Sequence, residues 1–115
     1  MDLEHHLLRQ MAFSHAAFGP GQSTKRVVAH IRKELDEVLE SDGSPEEWVD
    51  VVILALDGLT RSLAFRGRHG RATYYAASRA CSHLMRKQSI NESRTWPDWR
   101  TVEEDEPIEH YRSGE

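Results

Sequence analysis

A single cysteine, Cys81, stands in a chain of 115 residues, so no intrachain disulfide can staple the fold. A lone thiol inside a helical pattern reads as a small packed residue and suits a reducing cytosol. Long apolar runs are missing too. None approaches the roughly 20 residues of a membrane span, and the opening MDLEHHLLRQ is too charged for a secretory signal. The expected location is the cytoplasm, with no membrane partner. Nor is there an excess of basic charge: 15 Lys and Arg face 19 Asp and Glu, for a formal net charge of −4. That balance excludes a sequence-independent nucleic-acid binder, which needs a dominant basic face. It leaves room for one phosphorylated small molecule held by a few local cations and a metal. Hydrophobic residues make up only 38% of the chain. A single domain of this length buries a limited share of its surface. At least a homodimer, or a homotetramer, is therefore expected to complete the core.

Alternating strand patterns are also lacking; what is present is helical periodicity. A first helix is expected from about Leu3 to Ala17, with Leu3, Leu7, Leu8 and Met11 on one stripe. FGPG, Phe18 to Gly21, ends it. A second, capped by Ser23 or Thr24, runs to about Ser41 with Val27, Val28, Ile31, Leu35 and Val38 on its apolar side. A third starts at Ser44 with Pro45 at its first position and Glu47 three residues on, the pattern of a capping box, and reaches Phe65. The basic connector RGRHGR, Arg66 to Arg71, leads to a fourth helix from about Ala72 to Glu92. The class is all-α: a bundle of about four helices with an extended C-terminal tail. Residues 1–100 form the expected domain and 101–115 an acidic tail, with Trp96 and Trp99 available to pack on a partner subunit.

The acids are not spread evenly. In the second helix Glu34, Asp36, Glu37 and Glu40 lie close together, yet each residue turns the chain by about 100°. Asp36 and Glu40 then face water opposite the apolar stripe, while Glu34 and Glu37 border it on the strip that carries His30. In the third helix, from Trp48 to Leu59, the pattern is apolar on nearly all sides, which predicts a central place in the core. Asp50 and Asp57 nonetheless lie in it, and a buried carboxylate calls for a cation or metal. Glu47 and Asp50, at i and i+3, can converge on one ion. Consecutive helices with a short link pack antiparallel, so the pairs Glu34/Glu37 and Glu47/Asp50 can meet across a seam. Carboxylates without Cys select hard cations such as Mg²⁺ or Mn²⁺; zinc would want more His and Cys.

HIRKELDEVLE followed by EEWVDVVILALDG resembles the metal-binding core of the MazG-like all-α nucleoside triphosphate pyrophosphohydrolases, in which Glu-x-x-Glu and Glu-x-x-Asp ligate metal. Here those positions are Glu34 and Glu37, then Glu47 and Asp50. FGPG and the late Lys87, Asn91, Arg94, Trp96, Pro97, Asp98 pattern extend the likeness to the dATP/dGTP pyrophosphohydrolase subgroup, including its MazZ-like phage members. Two departures stand out: Lys33 replaces a third acid common in the broad family, and the spacer Val38 to Glu46 is short.

The resemblance implies hydrolysis of a purine (deoxy)nucleoside triphosphate, dGTP or GTP foremost, to the monophosphate and pyrophosphate, with two or more Mg²⁺ or Mn²⁺ ions per site. The dGMP formed would supply 2-aminoadenine DNA synthesis. Glu34 and Glu37 are the expected catalytic residues, one accepting the water's proton and the other ligating metal. Lys87, Asn91 and Arg94, at i, i+4 and i+7, would neutralise and hold phosphate. Phe18, Trp48, Tyr74 or Tyr75 would stack on the base, with His15 and His30 near it and the FGPG backbone reading its edge. Two alternatives stay open at this point: a broad housecleaning pyrophosphatase and a non-enzymatic helical interaction module. A di-iron bundle would need Glu-x-x-His steps, which the acidic pairs lack.

Overall fold

Asp2 starts the first helix, α1 (Leu3–Phe18), by accepting hydrogen bonds from the amides of Glu4 (2.9 Å) and His5 (3.4 Å). These are backbone donors that no helical carbonyl can reach. The computed structural model describes residues 2–66 and 72–112, and among them it is all-α, without strands. α2 spans Thr24–Glu40, α3 Pro45–Arg66 and α4 Ala72–Ser93, and a 3-10 turn follows at Trp99–Thr101. The basic connector expected between the third and fourth helices lies, from 67 to 71, outside the described residues.

Helix ends follow local chemistry. Gly19, at φ 87°, closes α1 by donating to the His15 carbonyl, a left-handed geometry that favours glycine. Ser23 occupies the cap position of α2 at φ 51° but makes no side-chain cap bond, so the capping role expected of Ser23 is not used. The capping box expected at Ser44 is not formed either. Its amide donates to Ser41 Oγ (3.1 Å), which leaves the Glu47 carboxylate available elsewhere. Gly43, at φ 81°, donates to Val38 O (2.9 Å) and reverses the chain between α2 and α3.

The chain forms two compact units, with the boundary inside α4: the first ends at Ser82 and the second begins at His83. In the first unit Leu7 and Met11 of α1 pack with Ala76, Ala77 and Ala80 of α4. Leu56, Leu59 and Leu63 of α3 flank them, as does Cys81, whose thiol burial pushes up. The small side chains of α4 allow close helix approach. α2 lies along α3, and a Cβ added at Gly58 would stand 3.3 Å from Val27 Cγ1. In the second unit the tail turns back on itself: Tyr111 N–H donates to Thr95 O (2.8 Å), and the Trp96 and His110 rings meet at 5.5 Å.

One expectation is corrected. The first turns of α3 are not central to the core of this chain, since Trp48 is 49% and Val52 52% exposed. Leu39, at 79% exposed, continues this apolar surface on α2.

A polar knot holds α1 to α3. Arg61 is only 2% exposed. Its Nε donates to both Asp57 oxygens (3.0 and 3.1 Å) and Nη1 to the carbonyls of Gly19 (2.9 Å) and Gly21 (2.8 Å). Nη2 donates to Ser14 O (3.3 Å) and Ser14 Oγ (2.8 Å). Breaking one side of a buried, hydrogen-bonded pair costs more than the pair contributes, because the remaining charge is stranded. Arg61→Met is expected to destabilise the protein by about 3–5 kcal/mol, read as a lower midpoint of chemical denaturation. A wild-type midpoint would show that apolar packing alone docks α1.

Candidate active site

The tight turn between α2 and α3 brings their facing acids together. One carboxylate oxygen each from Glu34, Glu37 and Glu47 lies within 4.8 Å of the other two. Asp50 is solvent-exposed rather than buried, so burial does not explain its place in an apolar helix. It stands outside the three-oxygen cluster, yet near enough that its charge acts on Glu34 and Glu47. Asp36 and Glu40 are exposed, in keeping with their helical phase.

Crowding shows in the electrostatics. The Glu34 carboxyl is raised above its ordinary value, first by a proton shared with Glu37, then by lost solvent and the charges of Glu37 and Asp50; His30 pulls the other way. Glu47 is also raised, by lost solvent first and then by the charges of Glu37 and Asp50. Glu34 Oε1 lies 3.5 Å from His30 Nε2, but Glu34 Oε2 is buried and accepts no hydrogen bond. A buried acceptor without a donor is unfavourable unless a cation meets it. Three converging carboxylates, one of them with a buried oxygen that lacks a donor, and no sulfur or imidazole among the three, fit a hard divalent ion such as Mg²⁺ or Mn²⁺.

His30 joins this cluster to a pocket. Its ring meets Phe18 edge-on, with centroids 6.5 Å apart, and Phe18 in turn packs on Phe13 at 6.1 Å. Phe18, Val27, His30 and Leu54 supply the pocket's apolar and aromatic walls, and Asp57 and Arg61 also line it. Of the aromatic and His candidates named from sequence, Phe18 and His30 line this pocket; Trp48, Tyr74 and Tyr75 do not, and His15 lines a different one. The FGPG backbone is largely committed, for Phe18 O accepts from Arg26 Nη1 (3.0 Å) while Gly19 O and Gly21 O serve Arg61.

Lys87, Asn91 and Arg94 belong to the second unit. Lys87 is exposed, whereas Asn91 and Arg94 are half-buried. Asn91 Oδ1 accepts from Arg94 Nη1 (2.9 Å) and its carbonyl from Trp96 Nε1 (2.7 Å). Asp98 accepts from the Arg100 amide (3.0 Å) and starts the 3-10 turn. Much of the late motif's spacing therefore serves its own folding.

Arg61 was not singled out from sequence, although it stands four residues after Asp57, the spacing of a helical ion pair. That spacing could have shown that Asp57 takes its counter-charge from the same helix. Ser23 and Leu54 in the pocket had no sequence signal.

A family model of the dATP/dGTP pyrophosphohydrolases matches residues 7–114. No curated protein and no solved structure matches the chain.

The raised carboxyls make a pH prediction. Folding takes up protons at Glu34 and Glu47, so their contribution to stability is fully present below the ordinary value of 4.5 and is lost as pH rises through the raised values. Without divalent metal, wild-type melting temperature should fall across that window, and Glu34→Gln should flatten the slope. At pH near 7 in chelator, Glu34→Gln should melt higher than wild type. A lower melting temperature for that variant would show that the cluster is not under charge strain.

Proposed function

The chain belongs to the dATP/dGTP pyrophosphohydrolase family, and on that premise we propose that it hydrolyses a purine (deoxy)nucleoside triphosphate, dGTP or GTP before others. Membership makes it a nucleoside triphosphate pyrophosphohydrolase and sets aside the non-enzymatic interaction module. The observation that carries the finer reading is the seam itself. Glu34, Glu37 and Glu47 converge at one end, and His30 links Glu34 to the Phe18 pocket at the other.

Glu34, Glu37 and Glu47, with Asp50 beside them, would hold Mg²⁺ or Mn²⁺, two or more ions in the full set. When bound, the ions supply charge neutralisation of the triphosphate and a lowered pKa for water. The water oxygen attacks the α-phosphorus, the bond to the α–β bridging oxygen breaks, and pyrophosphate leaves with that oxygen. Glu34 or Glu37 accepts the water's proton, while the other holds metal. Phe18 and His30 hold the base. By the resemblance, Lys87 and Arg94 would neutralise phosphate charge, and Asn91 would hydrogen-bond a phosphate oxygen or the sugar.

A second copy of the chain, as a homodimer or homotetramer, would cover Trp48, Val52 and Leu39, since apolar surface of this kind marks association sites. The enzyme would act in the cytoplasm. Its dGMP would feed 2-aminoadenine DNA synthesis, as in the MazZ-like phage members that the sequence resembles.

The test is pyrophosphate release across all dNTPs and NTPs with Mg²⁺ and with Mn²⁺. The expected profile is led by dGTP and GTP; a flat or pyrimidine-led profile would instead indicate a housecleaning enzyme. Glu37→Gln and Asp50→Asn should abolish turnover with the helical circular dichroism intact. Asp36→Asn and Glu40→Gln, on the solvent side, should change it less than about twofold, in line with the small effects of exposed substitutions. Equal damage from all four would overturn the assignment of the seam.

A further inference from the structure

The polar lining of the Phe18–His30 pocket includes a pair whose hydrogen-bonding capacity is unevenly spent. A guanidinium has five N–H donors, and Arg61 uses all of them: one on Asp57, two on Gly19 O and Gly21 O, two on Ser14. Arg61 has nothing left to offer a ligand. Asp57 differs. Its two oxygens share the single Nε hydrogen of Arg61, and a carboxylate offers about four acceptor positions. Arg61 balances the charge of Asp57, so the remaining acceptor capacity needs no second cation. At 6% exposed, Asp57 sits where a hydrogen bond is stronger than in water.

We propose that Asp57 selects the base, accepting the 2-amino N–H of guanine on an outward lone pair that Arg61 Nε, shared between the two oxygens, leaves free. The proposal rests on the reading of this pocket as the purine site. Hypoxanthine offers only N1–H at that edge. Adenine offers one amino group beside a ring nitrogen whose lone pair opposes a carboxylate. Ser23 lines the same pocket, and its hydroxyl, which makes no cap bond, supplies a donor for O6 of guanine.

The test compares dGMP, dIMP and dAMP by calorimetric titration of the wild-type protein, and the matching triphosphates by steady-state kinetics. Losing one hydrogen bond to a charged acceptor should weaken dIMP relative to dGMP by about ten- to a hundredfold, and dAMP at least as much. In turnover the loss should fall on KM, with kcat within a few-fold. Asp57→Asn, which swaps one acceptor oxygen for a donor, should erase the dGMP advantage, with circular dichroism confirming the fold. The wild-type series decides the matter even if that variant does not fold. Equal binding of dGMP and dIMP, alongside normal pyrophosphate release from both triphosphates, would overturn the role of Asp57 and leave the proposed activity standing. No turnover of any triphosphate with Mg²⁺ or Mn²⁺ would remove the proposed activity, and this inference with it.

Discussion

Three carboxylates with oxygens within 4.8 Å of one another cannot all be anions at little cost, and the α2–α3 hairpin holds them there. The turn that closes the hairpin uses a left-handed Gly43, and Ser41 takes the Ser44 amide that a capping Glu47 would otherwise engage. Both features free Glu47 to face Glu34 and Glu37. The result is strained when empty of charge partners: carboxyls pushed upward and one buried oxygen without a donor. A divalent cation resolves each of these at once. Under the proposed activity, such a cation would also let a chain of net charge −4 receive a polyanion, by reversing the local sign.

The Arg61 knot does the complementary work. Burying a guanidinium is expensive unless every donor is met, and here the acceptors come from three places: Asp57 on its own helix, Ser14 on α1, and the carbonyls of Gly19 and Gly21. The two glycines, at φ 87° and 100°, can turn their carbonyls inward because they carry no Cβ. Phe18, next to Gly19 in the chain, is thereby held as part of the pocket's lining. A loop that looked from its composition like a helix stop is also the part of the structure that places an aromatic wall.

Much of this was legible in the sequence. Helix positions followed from apolar spacing, and the facing of Glu34 and Glu37 against Asp36 and Glu40 followed from helical phase alone. The convergence of Glu47 with the first pair followed from the short link. Three things did not follow. Asp50 was read as buried because Trp48, Val49, Val52 and Ile53 surround it in sequence, but a helix flanked on only part of its circumference leaves that side open. Asp57 was read as needing a cation or metal, and the cation is Arg61, whose place in a stretch otherwise read as core hid which of the two it would be. The internal bonds of Asn91 and Trp96 depend on how the chain leaves α4, which no periodicity encodes.

Taken along the helices, the site has a direction. On α3, Glu47, Asp50, Leu54, Asp57 and Arg61 follow one another by three or four residues and so share a face. On α2, running the opposite way, Glu37, Glu34, His30 and Val27 do the same, and Ser23 precedes the helix at its cap position. Carboxylates crowd one end of this seam, an imidazole and a leucine lie in its middle, and a hydrogen-bonded ion pair and Phe18 close the other. Ten residues of helix separate Glu47 from Asp57, about 15 Å at 1.5 Å per residue. A ligand that is anionic at one end and flat and aromatic at the other matches that order; a compact anion or a lone base would leave half of the seam without a partner. The polarity of the seam therefore supports a nucleotide lying along α2 and α3, phosphates toward the acids. The register of two amphipathic helices is enough to set it.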